Sequence, residues 1–216
     1  MKDTETCWAS CKECKGLGKK KRRLRKSVRL AYQRELAQFD TLAGNGDTPV
    51  RPAAPHDVCS TCKGSGLVAV SESPHPDKEQ YPHIAIIGGG IGGIALGVAC
   101  LHRKIPFTLY ERDQSFDARS QGYGLTLQQA SAAMKGLGIP SLVEGIVSTK
   151  HIVHTTDGKV IGEWGMRKWL AADTQNKLKK SNIHIARQSL RWTLLNQLGG
   201  KDVIHWGHKL VDYKEQ

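Results

Sequence analysis

The chain has 216 residues, a formal net charge of +12 and 39% hydrophobic residues, enough to bury one real core with a small appendage. Its polar, cysteine-containing N-terminus has no long apolar stretch, which argues against a secretory signal. The apolar run from Ile84 to Leu101 holds six glycines and continues into His102-Arg103-Lys104, which argues against a membrane span and for a soluble strand and helix. The charge is partly local: Lys12 to Arg29 carries ten Lys or Arg against a single acid, Glu13. Such a block suits an acidic partner, whether a protein, a nucleic acid or an anionic membrane, although charge runs are more often simply a solvated face.

Residues 1–70 read as a module of their own. Cys11-Lys-Glu-Cys14-Lys-Gly16-Leu-Gly18 and Cys59-Ser-Thr-Cys62-Lys-Gly64-Ser-Gly66 are two copies of C-x-x-C-x-G-x-G. The two-residue gap lets both thiolates of a pair reach one ion, and the small residues after it let backbone N–H groups turn back onto sulfur. Two pairs make one tetrahedral four-thiolate Zn2+ site from Cys11, Cys14, Cys59 and Cys62. Two disulfides or unbound thiols are the alternatives, but a chain without a secretion signal points to a reducing, cytoplasmic compartment. The repeat resembles the cysteine-rich zinc domain of DnaJ-type chaperones over these two eight-residue units. Cys7 is a substitute ligand or an unbound thiol, and Cys100 reads as buried core.

Between the pairs, Leu24, Val28, Leu30, Tyr32, Leu36 and Phe39 predict an amphipathic basic helix over 22–42, stopped at Gly44-Asn45-Gly46. Such an insertion either covers the cysteine knot or serves as a docking surface. Residues 71–81, rich in Ser, Pro, Asp and Glu, read as a linker. His75-Pro76-Asp77 lies within it without flanking amphipathic helices, so a J-domain reading is rejected.

The third segment, 82–216, begins with the stretch that organises the chain. Ile84 to Ile87 predicts a buried parallel strand leading into Gly88-x-Gly90-x-x-Gly93. Gly88 permits the tight turn, Gly90 lets a pyrophosphate approach the backbone, and Gly93 lets the helix lie close on the strand; Gly92 is counted with them as cofactor-binding. Ile91, Ile94, Ala95, Val98 and Leu101 keep helical spacing from about Gly90 to Arg103, and Phe107 to Tyr110 predicts a second strand ending at Glu111. An acid there, about twenty residues past the glycines, is placed to accept ribose hydroxyls and disfavours a 2′-phosphate. The helix N-terminus offers N–H groups and a positive dipole end to phosphates.

Beyond Glu111, an arginine before Gly122-Tyr123-Gly124-Leu125-Thr126-Leu127, a helix ending at Leu137-Gly138-Ile139, and later Arg187-Gln-Ser-Leu190-Arg191 resemble the FAD-dependent monooxygenases of the aromatic hydroxylase class. The resemblance runs from about His83 to the C-terminus and includes Val203 to Tyr213 as a strand pair. It implies an α/β fold: a Rossmann-type FAD-binding domain with part of an α+β substrate sheet, preceded by the small zinc module with its helical insertion. It also implies that Glu111 holds the adenosine ribose, that Arg112 lies over the adenine, and that Arg119 and Arg187 reach the pyrophosphate or ribityl chain with guanidinium forks. Gln128 would open the helix near the isoalloxazine. In that family NAD(P)H reduces the flavin, which transfers one atom of O2 to an electron-rich small-molecule substrate, and the protein binds, orients and excludes water. No side chain is an evident acid, base or nucleophile.

Asp157-Gly158 between Ile152 to His154 and Lys159 to Trp164 predicts a hairpin, with Trp164 and Trp169 on the substrate sheet or in the core. The histidines show no metal spacing. The family's later Gly-Asp motif is absent, so the chain is expected to be a fragment that binds FAD weakly and turns over little. An NAD-binding oxidoreductase of another type, or a non-catalytic zinc-based interaction module, are the other readings.

Overall fold

The structure, a computed structural model, describes residues 6–42, 46–118, 123–127, 130–148, 151–164 and 182–215. Arg119, Gln128 and Trp169, named above, lie outside the described residues, as do Gly44 and Asn45. The chain divides into two compact units, Ser10–Val68 and Met1–Ala9 with Ala69–Gln216.

The elements of the first part are β1 (Cys7–Ser10), β2 (Lys19–Lys21), α1 (Lys26–Thr41), β3 (His56–Val58) and β4 (Leu67–Val70). β1 pairs with β4, and β2 pairs antiparallel with β3, with Lys20 opposite Asp57. The helix expected over 22–42 starts only at Lys26. The Arg22 N–H donates to the Pro55 carbonyl at 2.7 Å and prolongs the β2–β3 ladder, so the backbone is still extended at Arg25 (φ −57°, ψ 146°). None of the helix residues is fully buried: Val28 and Leu30 are exposed, while Tyr32, Leu36 and Phe39 are half-buried. What fills this unit is Cys11, Cys14, Cys59 and Cys62, with Val68 packed against them.

The segment expected as a linker is irregular, yet it is held. Asp77 donates its N–H to the Lys104 carbonyl at 2.8 Å, and its carboxylate accepts from the N–H groups of Glu79 and Gln80, closing a local turn. The N-terminal strand belongs by its packing with the larger unit: Gly138 (φ +77°) leaves no room for a Cβ, because the indole of Trp8 lies against it.

The larger unit continues with β5 (Ile84–Ile87), α2 (Ile91–His102), β6 (Phe107–Glu111), β7 (Gly124–Leu127), α3 (Ala130–Lys135), β8 (Ile146–Ser148), β9 (His151–His154), β10 (Val160–Trp164), β11 (Asn182–Ala186), α4 (Arg187–Asn196) and β12 (Ile204–Trp206). β5, β6 and β12 form a parallel sheet in the order β12-β6-β5, the 3-2-1 start of a doubly wound sheet. The strand pair expected from Val203 to Tyr213 is therefore corrected. Only Ile204–Trp206 is a strand, it pairs with Leu109 to Glu111, and the described residues after it, 207–215, carry no strand. β7, β11 and β8 form an antiparallel sheet, and β9 and β10 make the predicted hairpin.

The core is built where the periodicity places it. Ile86, Leu109 and Ile204 point from the parallel sheet to Ile94 of α2 and to Leu190, Leu194 and Leu195 of α4, all at most 4% exposed. Gly97 lets the two helices close: a Cβ there would press on Leu198 and Phe107. Cys100 is buried, as expected, and burial pushes its thiol pKa up.

His102, in the last turn of α2, is only 3% exposed, and its Nδ1 has no hydrogen-bond partner. Burial, reinforced by the neighbouring Arg103, lowers its pKa from 6.5 to about 4. Between these values the unfolded chain holds a proton that the folded chain does not, so stability falls as pH drops through this window. The expected loss is about 2 kcal/mol between pH 7 and pH 5. Urea unfolding at several pH values should show it, and His102→Gln should flatten it; equal slopes for the two proteins would exclude this imidazole as the cause.

Candidate functional site

The glycine turn joins β5 to α2 and works as the fingerprint requires. Gly88 has φ +112°, a conformation that favours glycine. A Cβ on Gly93 would run into the Gly88 carbonyl oxygen and against Ile86, so this glycine sets the close approach of helix to strand. At Gly88, Gly90 and Gly92 an added Cβ would meet nothing in the protein: the space in front of the turn is open. α2 begins after Gly90 with no side-chain cap and no acid in its first turn, leaving its leading N–H groups to a ligand.

That space is a cavity of about 430 Å³ lined by Gly88, Gly90, Ile91, Tyr110, Glu111, Arg112, Asp113, Arg187, Arg191, His208 and Lys209. The tertiary fold thus brings Arg187, on α4, to the same cavity as the turn, with Glu111 and Arg112 from the end of β6 on another wall. Arg187 donates to the Tyr123 hydroxyl at 2.8 Å. Glu111 has a task the sequence did not announce. One carboxylate oxygen accepts the Gly89 N–H at 2.6 Å and the other the Asp113 N–H at 3.0 Å, so the acid clamps the glycine turn to the strand end. An ionised carboxylate has about four acceptor positions, and two remain open.

Sequence reasoning missed Arg191. It is 8% exposed, donates from Nε to the Gly89 carbonyl at 2.7 Å and from Nη1 to the Phe116 carbonyl at 3.0 Å, and lies 4.5 Å over the Phe116 ring. It holds the turn from below while Glu111 holds it from the side. A signal was present: Arg191 follows Arg187 by four residues, one turn along the same helix face, and stands among Leu190, Leu194 and Leu195 where an apolar residue would be routine.

In the Ser10–Val68 unit the four predicted ligands converge. All Sγ atoms of Cys11, Cys14, Cys59 and Cys62 lie within 4.8 Å of one another, with Cys11 to Cys59 at 4.0 Å and Cys14 to Cys62 at 3.7 Å. A disulfide needs about 2.05 Å between sulfurs, whereas the edge of a tetrahedral four-thiolate zinc site is about 3.8 Å. The two knuckles repeat each other at an offset of 48 residues. The Gly18 N–H donates to Cys14 Sγ at 3.2 Å and the Gly66 N–H to Cys62 Sγ at 3.3 Å, while the Cys11 N–H reaches the Gly66 carbonyl and the Cys59 N–H the Gly18 carbonyl. A Cβ on Gly18 would collide with the Gly64 carbonyl, and one on Gly66 with the Gly16 carbonyl, so each pair's last glycine is what lets the other pair come close. Backbone N–H groups of Cys62 and Thr61 pull the Cys59 thiol pKa down, and burial pushes that of Cys14 up. Cys7, in β1, is not one of the four.

No protein-family model matches the chain. Among curated proteins, the chain is 33% identical over 94 residues to the dual O-methyltransferase/FAD-dependent monooxygenase elcB of Phaeosphaeria nodorum, covering 44% of this chain and 9% of that protein. It is 41% identical over 64 residues to the FAD-dependent monooxygenase sor5 of Hypocrea jecorina, covering 30% of this chain and 14% of that one. Over the matched residues the chain is homologous to proteins named as FAD-dependent monooxygenases. Chloroplastic zeaxanthin epoxidase of Oryza sativa subsp. japonica matches at 27% identity, over 62% of this chain and 21% of the epoxidase. The chain thus spans between 9% and 21% of the length of these curated relatives. Of solved structures, 2,6-dihydroxypyridine-3-hydroxylase from Arthrobacter nicotinovorans aligns with a TM-score of 0.49 at 18% identity, over 67% of this chain and 32% of that one.

Proposed function

We propose that residues 82–216 bind the ADP portion of FAD at the glycine turn, as part of a flavoprotein monooxygenase that uses NAD(P)H and O2 to hydroxylate a small organic substrate. The observation that carries this is the pairing of a closed and an open side at one turn: Gly93 is pressed against Gly88, while Gly88, Gly90 and Gly92 face empty space before an uncapped helix. The homologues make FAD, rather than NAD alone, the nucleotide that fits. Bound flavin would supply the redox and oxygen chemistry. The chain's own residues would do the holding: the α2 N-terminus and the Arg187 guanidinium meet the pyrophosphate, the remaining acceptor positions of Glu111 meet the ribose, and Arg112 covers the adenine side. Arg191 and Glu111 keep the turn rigid by fixing the carbonyl and the N–H of Gly89.

Gly90→Val tests this cleanly. Gly90 has φ −79° and ψ −180°, open to any residue, and nothing in the protein lies near its Cβ. The expected result is an unchanged melting temperature with FAD and ADP affinity weakened by at least about tenfold, measured by calorimetry on the full chain. Unaltered affinity would sink the assignment.

We further propose that Cys11, Cys14, Cys59 and Cys62 hold one structural Zn2+. The separations of the four sulfurs and the N–H groups directed at Cys14 and Cys62 support it. Four protein ligands leave no open position, so such an ion stabilises rather than catalyses. Four thiolates around a dication carry a net charge of −2, which the exposed Lys12, Lys15 and Lys63 beside the pairs offset.

A further inference from the structure

Away from the cavity at the glycine turn, one edge of the Ser10–Val68 unit is strongly charged. This unit has thirteen Lys or Arg against five Asp or Glu, and so carries +8 of the chain's formal +12. The β2–β3 ladder sorts these cations into two sets, because side chains alternate faces along a strand. Lys20 and Arg22 share a face with Asp57: Lys20 is bonded to Glu13, and Arg22 Nη1 lies 3.7 Å from Asp57. Lys19 and Lys21 take the opposite face, and Arg23 and Arg25 follow at the same two-residue interval before α1 begins. All four are exposed, and none makes an ion pair among the described residues. Lys26 and Arg29, in the first turn of α1, are exposed and unpaired in the same way, and that turn contains no acid.

Within the fold this arrangement is unfavourable. Like charges are crowded together and stand at the positive end of a helix dipole, where an acid would stabilise and a cation destabilises. Lys20 and Arg22 are neutralised by the protein itself; Lys19, Lys21, Arg23 and Arg25, with Lys26 and Arg29 after them, are left for an anion from outside. We propose that the edge formed by Lys19, Lys21, Arg23, Arg25, Lys26 and Arg29 docks the phosphodiester backbone of a nucleic acid.

Three features select that anion. Cations spaced about 6.6 Å apart along an extended segment match a linear array of charges. Half of the six are arginines, whose planar forks suit phosphate oxygens. A helix lying on an anionic membrane instead spreads its cations along its length and buries an apolar face; here four of the six cations precede the helix, and Tyr32, Leu36 and Phe39 are already half-buried. This inference is independent of the flavin reading.

The test is fluorescence anisotropy of a labelled single-stranded RNA of about 20 nucleotides, with a DNA duplex as a parallel arm, titrated with the full chain. For about four phosphate contacts, log affinity should fall with log salt at a slope of about −2.8 on the single strand, or about fifty-fold between 50 and 200 mM. The triple variant Lys21→Gln, Arg23→Gln, Arg25→Gln removes only exposed, unpaired charges. It should weaken binding by more than about tenfold with unchanged zinc content and circular dichroism, while Lys214→Gln changes nothing. A flat salt dependence, wild-type binding by the triple variant, or tighter binding to phosphatidylserine vesicles or poly-glutamate than to RNA and duplex at equal ionic strength would each overturn the proposal.

Discussion

Cys59→Ser in the full chain is expected to reduce bound zinc from one ion per chain to nearly none and to unfold Ser10–Val68. The reason is how little else holds that unit. No residue of α1 is fully buried, the ribbon of β2 and β3 is three residues long, and apart from Leu67 the buried apolar side chains are the four cysteines, with Val68 against them. A unit this size with so few buried side chains gains little from its core, and a structural zinc ion contributes about 10–16 kcal/mol. Hydrogen exchange gives the readout: the N–H groups of Cys11 and Cys59, bonded to the Gly66 and Gly18 carbonyls, should lose protection on mutation or chelation. Elemental analysis finding well under one zinc per chain with the cysteines intact would count decisively against the site. So would retained protection in excess chelator.

Gly93→Val is expected to act on folding where Gly90→Val acts only on binding. The new Cβ at Gly93 would occupy the place of the Gly88 carbonyl oxygen, so α2 must lift off β5 and take Ile94 and Val98 out of the core. Backbone cannot move aside as the end of a side chain can, and the cost should reach about 3 kcal/mol or more. For a unit of this size that lowers the melting temperature by about 10 °C, measurable by calorimetry without any ligand. Two glycines three residues apart, one intolerant and one indifferent in the free protein, form a pair whose opposite behaviour no general fragility of the turn explains. Equal melting temperatures for the two variants would remove the packing role of Gly93.

Much of this was legible from local spacing. The apolar run from Ile84 to Ile87, the helical period from Ile91 to Leu101 and the Asp157-Gly158 hairpin are short-range patterns, and each element formed where its pattern lay. The failures also have local causes. The basic helix begins late because Arg22 had a strand partner in Pro55, a residue more than thirty positions away and invisible to helical periodicity. The strand pair after Val203 reduces to one strand because Ile204–Trp206 found its partner in β6, not in the chain that follows.

The amino-acid order by itself determined the two chemistries on offer: thiolates in pairs at metal-reaching distance, and a glycine turn fit for a phosphate, because both depend on neighbours within a few residues. Only the tertiary structure decided how each is held. It set Arg191 under the Gly89 carbonyl, turned Glu111 into a clamp, locked Gly18 against one knuckle and Gly66 against the other, and divided the lysine-arginine run into neutralised and unneutralised faces. The contacts of Glu111 and Arg191 with Gly89 join residues 22 and 102 positions apart, and no pattern of local spacing specifies which distant carbonyl or carboxylate a side chain will meet once the core has closed.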